Sequence, residues 1–101
     1  MFLEIKFKPD NATTVNALSG TLSTFANDAW RNNPLNRFIV LGLSNSSLKL
    51  VLDNYGEDLS ISYNPIDISD PSLSAEERSW MKNLLETREY ILSVGREFDK
   101  K

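Results

Sequence analysis

Hydrophobic and polar positions alternate at the start of the chain, where Leu3, Ile5 and Phe7 interleave with Glu4, Lys6 and Lys8. A period of two predicts a strand with one buried face. Pro9-Asp10 ends it, and Asp10 or Asn11 supplies a side-chain oxygen to cap a helix. The period then changes. Val15, Leu18, Leu22, Phe25, Ala26, Ala29 and Trp30 keep three-four spacing and fall on one helical stripe. Asn32-Asn33-Pro34 predicts the end of that helix, because proline cannot continue its hydrogen bonding. Ser19, Gly20, Thr21, Ser23 and Thr24 together cost it about 3 kcal/mol relative to alanine. Such a helix depends on tertiary packing.

Phe38 to Leu43 is apolar on both faces, as a central strand requires. Ser44 to Ser47 reads as a turn. Leu48, Leu50 and Leu52 then alternate with Lys49, Val51 and Asp53, which predicts a third strand. Asp53 to Asp58 reads as a turn with Gly56 free to take positive φ. Leu59, Ile61 and Tyr63 alternate with serines as a fourth strand. Asn64 to Leu73, with two prolines and no period, reads as a linker. Ser74-Ala-Glu-Glu77 is a capping box, and the final helix runs from there to about Phe98.

The predicted architecture is a single α+β domain over residues 1–101, a two-layer sandwich in the order β-α-β-β-β-α. Its four-stranded sheet is mostly antiparallel, with both helices on one face. The first two strands, joined through a helix, are expected to lie parallel in a right-handed crossover. The open sheet face would then carry Glu4, Lys6, Lys8, Lys49, Ser60 and Ser62.

Composition narrows the chemistry. The chain has 101 residues, neither cysteine nor histidine, and a net charge of -3. No thiolate metal site or disulfide framework is possible, and the commonest general base is missing. The negative balance argues against nucleic acid as a partner, since phosphate tracking runs on clustered Lys and Arg. The apolar run Phe38 to Leu43 is far short of the roughly 20 residues of a membrane span. Glu4 interrupts the apolar N-terminal segment, so no signal-peptide core is read there and a cytoplasmic location is expected. Nucleophile elbows, phosphate-cradling glycine loops and zinc motifs do not occur. Asp53, Glu57 and Asp58 are hard oxygen ligands, but they lack the spacing of a calcium loop and fit a polar turn. No metal or cofactor is expected.

Three surfaces remain as candidates. On the first helix, Thr13, Asn16, Ala17, Gly20, Thr24 and Asn27 lie opposite the apolar stripe, and all are small or uncharged. The outer sheet face is expected to expose Val51 beside one side of the Phe38–Leu43 strand, an apolar patch near lysines. On the last helix, Trp80, Met81, Leu84, Leu85, Ile91, Leu92, Val94 and Phe98 spread wider than one packing stripe needs. Arg88 sits near the middle of that arc, either laying its stem on apolar surface or pairing with a carboxylate in the fold or on a partner.

These features point first to a non-enzymatic protein-interaction domain: an inhibitor, adaptor or regulatory subunit binding another protein or forming a homodimer. A small acidic protein of this kind is also what a phage or mobile element would encode against a host protein. A second reading is a small-molecule or nucleotide sensor that holds its ligand with Lys6, Lys8 and Lys49. A third is a small enzyme using serine or carboxylate chemistry.

Overall fold

A computed structural model of the chain describes the backbone of residues 2–99 and the side chains of residues 2–87. It separates into two compact units, Met1–Asp67 and Ile68–Lys101. The first contains β1 (Phe2–Lys6), α1 (Ala12–Phe25), β2 (Asp28–Asn32), β3 (Arg37–Leu41), α2 (Asn45–Tyr55) and β4 (Ser62–Ile66). The second carries α3 (Ala75–Asp99). The α+β class and the four-stranded sheet agree with the sequence pattern. The element order differs, with a strand and a helix that the pattern does not predict.

The sheet order is β2-β3-β1-β4, and every neighbouring pair is antiparallel. Together with the order β-α-β-β-α-β, this is the split βαβ topology of ferredoxin-like folds. The expected parallel pairing is therefore corrected. The Phe38 strand, β3, pairs antiparallel with β1, and the strand parallel to β1 is β2, one position further out.

The new strand comes out of the predicted helix. The helix ends at Phe25, where Ala26 turns extended and its N–H donates to the Leu22 carbonyl. The Asn27 N–H then donates to the Leu41 carbonyl, tying the chain to β3. Ala29 and Trp30 pair with Val40 and Ile39 instead of extending the helical stripe. Asn32-Asn33-Pro34 thus opens a hairpin turn, closed by Asn36 at φ 50.

The second correction is α2. Leu48, Val51, Leu52 and Tyr55 stand at i, i+3, i+4 and i+7, a helical pattern that competes with the alternation of Leu48, Leu50 and Leu52. The predicted serine turn is its N-terminus: Ser44 is the N-cap, and its side chain accepts the Ser47 N–H. Val51, expected on an outer sheet face, is fully buried in the core, while Leu50 is 43% exposed. Gly56 takes right-handed helical angles, not positive φ. A Cβ there would meet the Leu52 carbonyl oxygen at 2.4 Å, so glycine serves close approach. The fourth strand begins three residues later than predicted and includes Pro65. An edge strand tolerates proline, because its outward amide needs no ladder partner.

The core lies between α1, α2 and one sheet face. Ile5, Phe7, Phe38 and Val40 meet Val15, Leu18 and Leu22 of α1, Val51 of α2, and Leu59. The opposite face carries Phe2, Glu4, Arg37, Ile39, Leu41 and Ile66, all buried. The exposed apolar patch predicted beside Val51 is therefore not formed by Ile39 and Leu41. Glu4 Oε2 accepts from Arg37 Nη1 at 2.8 Å, and Arg37 is 2% exposed. Lys6 Nζ is 4.0 Å from Glu4 Oε1 and largely in solvent, so it adds little.

In the second unit the predicted capping box is present. The Ser74 N–H donates to Glu77 Oε1 at 2.9 Å, and the Glu77 N–H donates to Ser74 Oγ at 3.1 Å. Arg78 reaches back to the carbonyls of Ile68 and Asp70, and Asp70 accepts from the Ser72 amide and hydroxyl. Met81 is buried and Leu85 exposed. Arg88, Ile91, Leu92, Val94 and Phe98 fall outside the residues whose side chains are described.

Two measurements check this packing. Glu4→Leu removes the carboxylate that accepts from Arg37 Nη1 and should lower stability by about 1.5–3 kcal/mol in urea unfolding, as for a hydrogen bond to a charged group; an unchanged midpoint would contradict the pairing. Gly42 stands at φ 78 with the Asn27 amide 2.3 Å from where a Cβ would lie. Gly42→Ala should therefore lower stability by about 1–3 kcal/mol. Gly20→Ala, in open helical surface, should raise it by about 0.5–1 kcal/mol. Opposite shifts in Tm are expected, and shifts of the same sign would contradict the placement of these glycines.

Candidate functional site

The outer side of α1 is one of the three candidate surfaces, and the structure describes all of its side chains. Asn11 caps the helix, its Oδ1 accepting from the N–H groups of Thr13 at 3.0 Å and Thr14 at 3.3 Å. Val15, Leu18 and Leu22 point into the core. Thr13, Asn16, Ala17, Gly20 and Thr24 are exposed on the far side. None of the fourteen residues of α1 is charged.

Two hydroxyls on this helix are bonded within the fold, those of Thr21 and Thr24. Thr24 Oγ1 donates to the Gly20 carbonyl at 2.9 Å, and Thr21 Oγ1 to the Ala17 carbonyl at 3.0 Å. Ser and Thr in helices make such bonds one turn back. Thr21 Oγ1 also lies 2.9 Å from the Tyr55 hydroxyl of α2. With the single Thr21 hydrogen spent on Ala17, the Tyr55 O–H is the donor. Apart from its chain neighbours and the helix backbone, no atom lies within 4 Å of a Cβ built on Gly20.

Two of the six predicted contact residues have work inside the fold. Asn16 Oδ1 accepts from Arg31 Nη1 at 2.9 Å, and Arg31 Nε donates to Asn33 Oδ1. The same guanidinium lies 5.9 Å from the Phe38 ring centroid, within cation–π range. Arg31 thereby brings a positive charge from β2 to the rim of the helix. Asn27 falls beyond the helix end and packs on Gly42. Thr13, Ala17, Gly20 and Thr24 remain as the uncommitted outer row.

Phe25 belongs to the apolar stripe by spacing, yet it is 45% exposed at the last position of α1. A stripe residue at a helix end outruns the sheet beneath it, and only the true position of that end reveals this.

The alternative site is dispersed. Lys6 lies on the Glu4–Arg37 face of the sheet, Lys8 beyond the end of β1, and Lys49 on α2, which covers the opposite face. The expected lysine-bearing strand face rests on reading residues 48–52 as a strand, and the helix removes Lys49 from it. Arg88 belongs to α3, with its side chain outside the described residues. Asp53, Glu57 and Asp58 do not converge: among the described residues no group of three or more His, Cys, Asp or Glu could hold a metal ion.

Tyr55→Phe should cost about 0.5–1.5 kcal/mol, because Thr21 keeps its bond to Ala17 while the link between the helices is lost. Thermal unfolding of this variant beside Thr21→Val would show whether one hydrogen bond is shared, since the double variant should then cost less than the sum.

Among the described residues no helix is long and apolar enough to cross a membrane. Comparison with known proteins returns no matching family model, no matching curated protein and no matching solved structure.

Proposed function

We propose that the chain is a non-enzymatic protein-interaction module, an inhibitor, adaptor or regulatory subunit, whose contact surface is the outer side of α1. One observation carries this reading: α1 bears no charge, and its outward row of Thr13, Ala17, Gly20 and Thr24 is small and exposed throughout. The outward row itself places no ionised group out of water when it is covered, a step that is otherwise expensive, and Arg31 beside Asn16 marks its charged rim. With the Thr21 and Thr24 hydroxyls already bonded to the helix, fewer donors lose water on contact. At Gly20 the space a Cβ would take is open, which allows close approach of a second backbone.

The test is affinity capture from source lysate with the unmodified chain and with Gly20→Arg. The unmodified chain should retain a partner, or a second copy of itself, near stoichiometry. Gly20→Arg should lose it while its Tm stays equal or rises. Equal retention by both chains would remove α1 as the contact. Absence of any near-stoichiometric partner, with a monomer by light scattering at high concentration, would overturn the proposal.

A further inference from the structure

We draw no further inference here: the strongest candidate, the exposed apolar side chains Phe25 and Leu50 on the helical layer of the first unit, is an unpartnered surface, and nothing in the structure shows what covers it.

Discussion

Everything in the first unit hangs on β3, whose five residues are all buried. It lies between β1 and β2, so both of its edges are paired, and it contributes to both sheet faces. Phe38 and Val40 face the helices, while Arg37, Ile39 and Leu41 face the other way. A buried arginine on a central strand needs an anion, and Glu4 on β1 supplies it at 2.8 Å. That pair also pins register. Slipping β1 by one residue would turn Glu4 toward the Phe38 core and carry Ile5 out of it. The strand ends at Gly42, whose left-handed backbone leads toward the Ser44 cap of α2. Asn27 fills the space a Gly42 side chain would occupy, so the entry to β2 and the exit from β3 are packed together.

What could be read from the sequence is what local chemistry decides. The capping box at Ser74 and Glu77 is a property of four residues, and it forms as its pattern says. The strand around Phe38 is unbroken apolar sequence, and it is central. The first helix begins where Asn11 offers an oxygen. The failures lie where two periods share the same residues. Leu48, Leu50 and Leu52 satisfy a strand, but Leu48, Val51, Leu52 and Tyr55 satisfy a helix, and the latter set buries Val51 completely. Ala29 and Trp30 fit the helical stripe of α1, yet pairing with β3 takes them into β2. Five residues are too few for either period to win from sequence alone. Pro65 made Asn64 to Ile66 look like a linker, because its cost depends on whether the strand is an edge.

The candidate surface divides along the same line. Its lack of charge is composition, and its outward direction follows from helical spacing, so both were readable. The commitments of Asn16 to Arg31 and of Asn27 to Gly42 were not, since they join residues from separate elements. The lysine trio was lost for a related reason: Lys49 changes sides when residues 45–55 become a helix.

The composition of α1 then has a physical reading. Its serines, threonines and glycine cost helix propensity, and with no charged residue it gains nothing from i,i+4 ion pairs. Burial of Val15, Leu18 and Leu22, at about 1.5–3 kcal/mol each, outweighs the roughly 3 kcal/mol of propensity cost. The helix is therefore held from beneath, by β1, β3 and α2, and its outer row is free of structural duty. Lysines and glutamates there would add stability and solubility without disturbing the core. Their absence leaves a surface that is inexpensive to dehydrate, firmly held from below and open to close approach at Gly20.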